Sequence, residues 1–191
     1  MSIKYSLLIL AFLSFSFAYT QMPDTFGNVS ELEKNITSYE KDPDANAIVL
    51  YESGDNYFKV INRYVRLVKE YHVKIKIFNE KGFDEATISI PLQKTNKSSE
   101  KLTKIKAETH NGNNQFAVLP SEIHEKDINE YRKEHVFTFP KLEKGSIIEY
   151  KYTIVSPYFF NFRGWDFKRV FLNYLANLMQ KFPGTTDTIA H

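Results

Sequence analysis

The chain has 191 residues, no cysteine, 15% aromatic residues and a formal net charge of +2 at pH 7. This length suits one domain with its own core, and a chain rich in Tyr and Phe but poor in Gly and Pro is typical of a folded, β-rich protein. The balanced charge predicts no concentrated basic face, so we expect no nucleic-acid partner. Without cysteine the chain can form no disulfide and offers no thiol nucleophile.

The first residues have the pattern of a secretory signal peptide, which we assign to residues 1–18. Lys4 precedes an apolar run from Leu7 to Phe17, and Ser16 and Ala18 occupy the small-residue positions of a cleavage site. The run is too short to span a bilayer comfortably, and polar residues follow it. We therefore expect cleavage after Ala18, export to the periplasm or the extracellular space, and no stable membrane anchor.

Residues 19–46 are predicted to form a short helix and a turn. Ser30 and Glu33 have the spacing of a capping box, in which each side chain satisfies a free backbone N–H at a helix start. The following "DPDAN" begins like a calcium-binding loop. However, Ala47 and Ser53 stand where that loop needs glycine and glutamate, so we predict a turn.

Alternating polar and apolar residues predict a long strand over residues 66–77, after a short apolar strand from Ala47 to Tyr51. One face of the long strand is apolar and is expected to be buried. The other face is polar and is expected to be in water; it carries Arg66, Glu70, His72, Lys74 and Lys76. The turn "NEKG" should then let "FDEATISIP" pair back onto this strand.

The remaining segments complete an all-β pattern. Asn111-Gly112 predicts a hairpin, because both residues tolerate positive φ. "EYRKEHVFTFP" and "GSIIEYKYTIVSP" read as two further strands. With about eight strands separated by turn signals, we predict an antiparallel two-sheet β-sandwich over residues 47–169.

The five histidines show no metal-binding or catalytic pattern. His124 begins an H-E-x-x-H motif, but Ile128 stands where the second histidine is needed. His72 is expected on the solvated strand face, His110 flanks the predicted hairpin turn, and His135 has no partner visible in the sequence. No G-x-S-x-G motif is present. We therefore predict no metal, no cofactor and no catalytic residue.

A dense aromatic block follows the last predicted strand. Its members cannot all lie on one face of a strand. We favour a role in the core and in an interface to a following domain, while a stacking platform for glycan or peptide is the alternative. The block consists of Tyr158, Phe159, Phe160, Phe162, Trp165 and Phe167.

Three segments carry a resemblance to a known family. "YEKDPDANAIVLYESG", "RLVKEYHVKIKIFNEKGFDEATISIP" and "FTFPKLEKGSIIEYKYTIVSPYFFNFRGWDF" resemble a domain of unknown function in exported proteins of Gram-negative bacteria. In that family the domain follows the signal peptide and precedes a transglutaminase-like domain. The resemblance covers about Met22 to Phe167 and is most specific in the third segment. It implies a β-sandwich without an established catalytic role, since the cysteine, histidine and aspartate of the transglutaminase-like fold lie downstream.

The chain departs from the family pattern after Phe167. Residues 170–191 are mildly helical and fit nothing in the sheet pattern, so we predict an out-of-frame tail produced by a frameshift near Val170. The resemblance then implies a non-catalytic accessory domain. This domain would pack on a catalytic domain absent from this chain, present substrate to it, or contact another protein. The alternative is a stand-alone binding module for envelope glycan or peptide that uses the block from Tyr158 to Trp165.

Overall fold

The computed structural model describes residues 25–158. The predicted signal peptide, its cleavage site at Ala18 and the tail at 170–191 lie outside this range. Within it, one short helix, eight strands and two 3-10 helices follow one another. These are α1 (Glu31–Asn35), β1 (Ala47–Ile61), β2 (Tyr64–Ile77), a 3-10 helix (Glu80–Ala86), β3 (Thr87–Gln93), β4 (Lys101–Asn111), β5 (Asn114–Ala117), a second 3-10 helix (Pro120–Glu122), β6 (His124–Asn129), β7 (Arg132–Thr138) and β8 (Ile147–Ser156).

The strands form two antiparallel sheets, which confirms the predicted all-β sandwich. The larger sheet has the order β1-β2-β8-β4-β5 and the smaller one the order β3-β7-β6. A core of buried apolar side chains from both sheets lies between them; Ile75 and Tyr150 come from the larger sheet, and Ile90 and Phe137 from the smaller. We call the side of the larger sheet that carries these residues its core face and the other side its outer face.

The first two strands form one long hairpin. The predicted short strand at Ala47 is the start of β1, which runs on to Ile61, so its predicted end at Tyr51 is wrong. Gly54 and the two residues after it suggest a turn, yet they pair with β2 throughout. The chain reverses instead at Asn62 and Arg63, whose φ angles of 51° and 68° are those of a tight hairpin turn.

The predicted pairing of "FDEATISIP" with β2 is wrong. Both edges of β2 are occupied, one by β1 and the other by β8, so β3 has no edge of this strand to join. The 3-10 helix carries the chain to the smaller sheet, where β3 pairs with β7. Gly82 permits this crossing, because a Cβ at that position would lie 2.5 Å from the carbonyl oxygen of Asn46.

The predictions for the later strands agree better with the structure than those for the earlier ones. The predicted hairpin lies between β4 and β5, with Gly112 at φ 59°, although Asn111 is the last paired strand residue and does not have positive φ. The strand that appeared last in the sequence, β8, lies at the centre of the larger sheet between β2 and β4. Its ten residues therefore organise the sheet.

The N-terminal segment, residues 25–36, lies on the outer face of the larger sheet. The predicted capping box is present, since the Ser30 hydroxyl accepts from the Glu33 N–H and the Glu33 carboxylate accepts from the Ser30 N–H. A second apolar cluster, which includes Ile48 and Ile147, packs beneath Val29. Among residues 25–158, no helix combines the length and apolar character that a membrane crossing needs.

Candidate functional site

The polar face of β2 is buried at Lys74 and Lys76, which overturns the prediction of a solvated face there, while Glu70 is exposed as predicted. Lys74 is 1% exposed and Lys76 is 4% exposed. The neighbouring strand β8 contributes Glu149, which is fully buried on the same outer face. The alternation correctly predicted a strand, but the N-terminal segment covers its polar side.

Glu149 is the centre of this buried region. One carboxylate oxygen, Oε1, lies 2.7 Å from His72 Nε2, and the other, Oε2, lies 3.2 Å from His110 Nε2 and accepts from the Gly27 N–H at 3.0 Å. Burial alone would raise the pKa of Glu149. The hydrogen bonds from the two histidines and Gly27, together with the charge of Lys74, outweigh burial and lower the pKa to about 2. Glu149 is therefore an anion at any physiological pH.

A second carboxylate approaches from β4. Glu108 Oε1 lies 3.2 Å from His110 Nε2, yet it is buried and accepts no hydrogen bond from the residues described. Burial raises the pKa of Glu108; nearby Glu149 raises it further, while His110 opposes the shift. We call Glu108, Glu149, His72 and His110 the buried cluster. Such a set can hold a cation or share a proton, but it contains no thiol or hydroxyl group.

The two buried lysines hold the N-terminal segment in place. Lys74 Nζ donates to the Asn28 carbonyl at 2.9 Å and to Glu33 Oε1 at 3.0 Å. Lys76 Nζ donates to the carbonyls of Lys34 at 2.8 Å and Gly145 at 2.7 Å. Burial lowers the pKa of Lys76, and these two carbonyl acceptors partly replace the water that it has lost.

Phe26 and Gly27 close the buried cluster from above. Gly27 has a φ of 86°, and a Cβ there would lie 3.0 Å from Glu108 Oε1, so both the backbone and the available space require glycine. The Phe26 ring lies 5.9 Å from the His72 ring. The ammonium groups of Lys106 and Lys151 lie 5.8 Å and 5.3 Å from its centroid, within reach of a cation–π contact.

An open groove of about 380 Å³ continues along the outer face from His72. Its acidic residues, Asp55 and Glu70, come from β1 and β2. Its basic residues, chiefly Lys106 and Lys151, come from β4 and β8. Since β1 and β2 precede β8 and β4 in the sheet order, negative and positive groups line opposite sides of the groove.

The core face carries an exposed apolar patch at the tip of the β1–β2 hairpin. Phe58, Val60 and Val65 are 55%, 68% and 50% exposed. Phe58 pairs with Leu67, and Val60 pairs with Val65, so the three side chains lie on one face. We call them the hairpin patch.

Of the predicted aromatic block, only Tyr158 falls within the described residues. Its hydroxyl donates to the Ser98 carbonyl at 2.6 Å, and its N–H donates to Ser156 Oγ at 3.1 Å. Phe159, Phe160, Phe162, Trp165 and Phe167 lie outside the described residues. Tyr158 follows the last pair of β8 with β2, Leu67–Ser156, so the chain leaves the sheet beside the hairpin patch.

The structure places the histidines in different surroundings. His72, expected on the solvated face, is only partly exposed and lies against Glu149. His110 flanks the β4–β5 turn as predicted, and it is also buried against Glu149. His124 is exposed on β6. His135 has a partner after all, since its Nε2 lies 3.2 Å from Glu125 Oε2, and burial lowers its pKa. A lone carboxylate in the apolar run "IIEY" was the one sequence signal for the site at Glu149.

Comparison with known proteins identifies a family. The model of a domain of unknown function with a solved structure, DUF3857, matches residues 66–185. A crystal structure of a candidate protease from Parabacteroides distasonis ATCC 8503 is similar with a TM-score of 0.47 and 15% identity, over 58% of this chain and 23% of that chain. This chain thus spans about a quarter of that protein. No curated protein matches it. The resemblance to a domain of unknown function is confirmed, while the transglutaminase-like neighbour stays a prediction.

Proposed function

We propose that this chain, which belongs to the DUF3857 family, is an exported, non-catalytic accessory domain that packs on a transglutaminase-like catalytic domain and presents substrate to it. The sequence supports a non-catalytic role because it contains no cysteine to serve as the nucleophile of such a domain. The buried cluster offers no thiol that could replace this cysteine, which agrees with this role.

The observation that carries the proposal is the hairpin patch. Three large apolar side chains are exposed together at one end of the core face, where a partner would bury them. The aromatic block from Phe159 to Phe167 follows within a few residues of the point where β8 ends beside this patch. We propose the hairpin patch as the apolar docking surface for the catalytic domain, with the aromatic block next in the sequence.

A binding experiment with the full chain tests this proposal. A transglutaminase-like domain from a family member that carries both domains would be titrated into the chain, with binding measured by calorimetry. We expect binding to be lost in the double variant Val60→Lys, Val65→Lys. Tyr64→Lys is the matched control, since Tyr64 is 64% exposed at the same hairpin but lies on the outer face, and it should bind normally.

Light scattering provides a measurement that could contradict the proposed accessory role. If the hairpin patch and the aromatic block form a docking surface, the isolated chain should self-associate as its concentration rises, and the double variant should not. A monodisperse wild-type monomer that does not bind the catalytic domain would refute the accessory role.

A second candidate function is the binding of envelope glycan or peptide. The outer groove supports it, because its volume lies in the range of small-ligand sites and its opposite charges suit a zwitterionic peptide. Titration of glycan fragments and short peptides, followed by the fluorescence of Trp165 and by calorimetry, distinguishes the two functions. Binding that is lost in Lys151→Glu would favour the groove, whereas no heat and no fluorescence change would remove this candidate.

A further inference from the structure

Three side chains of the buried cluster have the geometry of metal ligands. One donor atom from each of Glu108, His110 and Glu149 lies within 4.8 Å of the other two. The His110 nitrogen lies 3.2 Å from each carboxylate oxygen. In a tetrahedral zinc site with bonds of about 2.0–2.1 Å, neighbouring donor atoms are about 3.3 Å apart. Both measured separations therefore match the edges of such a site.

The register of the larger sheet places two carboxylates directly opposite each other. Glu108 on β4 pairs with Glu149 on β8, and His110 follows two positions later on the same face of β4. Like charges opposite each other destabilise a sheet, and burial increases that cost. A cation between the two carboxylates would remove the repulsion.

Glu108 supplies an independent sign of a missing partner. Its Oε1 is buried without a hydrogen-bond donor among the described residues, although His110 Nε2 is only 3.2 Å away. The separation is short but lacks the direction of a hydrogen bond, which is the relation expected of two ligands of one ion. A buried acceptor without a donor destabilises the fold, and more so when it is charged.

We propose that the buried cluster binds one divalent transition-metal ion of the zinc class, with Glu108, His110 and Glu149 as its ligands. One nitrogen and two oxygen donors suit Zn²⁺ and its substitute Co²⁺. His72 would orient Glu149 through Oε1 at 2.7 Å, as outer-shell partners orient ligating carboxylates. Three protein ligands leave a fourth position for water or for a group of a bound ligand.

Metal titration of the full chain tests the site. The chain would be stripped with a chelator and titrated with Zn²⁺ by calorimetry, and with Co²⁺ by its visible absorption, which reports four-coordinate geometry. We expect one ion per chain. Glu108→Gln and His110→Gln should each weaken binding by more than the roughly 10–100-fold typical of an outer-shell partner.

The smaller sheet provides a matched control. His135 Nε2 and Glu125 Oε2 are also 3.2 Å apart, but Glu125 is more exposed and already pairs with Lys133 at 2.8 Å, so Glu125→Gln should bind metal like the wild type. Glu108→Gln removes no hydrogen bond seen in the structure, and circular dichroism would verify that it folds. If the wild type binds no metal, or if Glu108→Gln and His110→Gln bind as tightly as the wild type, the site does not exist. These readouts are separate from the docking experiment, since the hairpin patch lies on the other face of the sheet.

Discussion

Gly27 is the residue that lets the N-terminal segment close over the buried cluster. We predict that Gly27→Ala destabilises the fold by about 2–3 kcal/mol, because alanine would be strained at φ 86° and its Cβ would press on Glu108 Oε1. Urea unfolding would measure the loss. Gly145→Ala is the matched control: its φ is 89° but no atom lies within 4 Å of the added Cβ, so it should cost only about 1–2 kcal/mol. Equal losses would mean that Glu108 moves aside without cost.

For single residues, the sequence predicted which side chains share a face of β2, but not whether that face is buried. The period of two correctly placed His72, Lys74 and Lys76 on one side of β2. What covers them is a segment about 40 residues earlier in the chain, joined through Lys74 to Glu33 and through Lys76 to the Lys34 carbonyl. No periodic pattern within a strand carries information about so distant a cover.

Among the elements, α1 depends most on its neighbours. A helix of five residues is too short to be stable alone, so it needs its capping box and its contacts with β2. The Lys74–Glu33 ion pair is the main such contact, with Lys74 1% and Glu33 20% exposed. The stability of α1 should therefore follow the charge of Glu33.

We predict that acid weakens the attachment of α1 through Glu33. Burial alone would raise the pKa of Glu33, but hydrogen bonds from Ser30 and Lys74 outweigh it and lower the pKa below its usual 4.5. Because the folded pKa lies below the unfolded one, the carboxylate stabilises the fold above about pH 4.5 and loses this effect as the pH falls through the folded pKa. In urea unfolding, the stability gap between the wild type and Glu33→Gln should be constant at neutral pH and shrink below about pH 4.5.

Glu31→Gln provides the comparison for this prediction. Glu31 is 78% exposed and pairs with Lys34 on the same short helix, so its removal should cost less than about 1 kcal/mol. A stability gap for Glu33→Gln that does not change with pH would contradict the assigned role of the ion pair.

The elements also show where sequence reasoning succeeds. The capping box was predicted because its signal is local, within four consecutive residues. The partner of β3 was not predicted, because strand pairing depends on which strand edges remain free. The second edge of β2 is occupied by β8, which follows β3 by some 60 residues. The turn at Asn62 and Arg63 was missed because it lacks the glycine that marks such turns.

For the whole molecule, the fold class followed from strand number and spacing, while the strand order did not. Each sheet is held by its own hydrogen bonds, and in the described part of the chain the strand ladders of the two sheets remain separate. Apolar contact across the core joins them, beside a polar link at buried Glu100, which accepts from Lys69 Nζ of β2 and from the Gln93 N–H of β3. The rings of Phe137 on β7 and of Phe139 just after β7 meet Tyr150 of the larger sheet, each at a centroid distance of 6.1 Å.

We predict that Phe137→Ala destabilises the whole sandwich by about 3–5 kcal/mol, because it removes a ring that is 2% exposed and leaves a cavity between the sheets. Domains of this size are stable by only about 5–15 kcal/mol, so the urea midpoint should fall steeply and both sheets should unfold together. Phe58→Ala, at a ring that is 55% exposed, should change stability by less than about 1 kcal/mol. If Phe137→Ala cost no more than Phe58→Ala, apolar packing between the sheets could not be what holds the sandwich together.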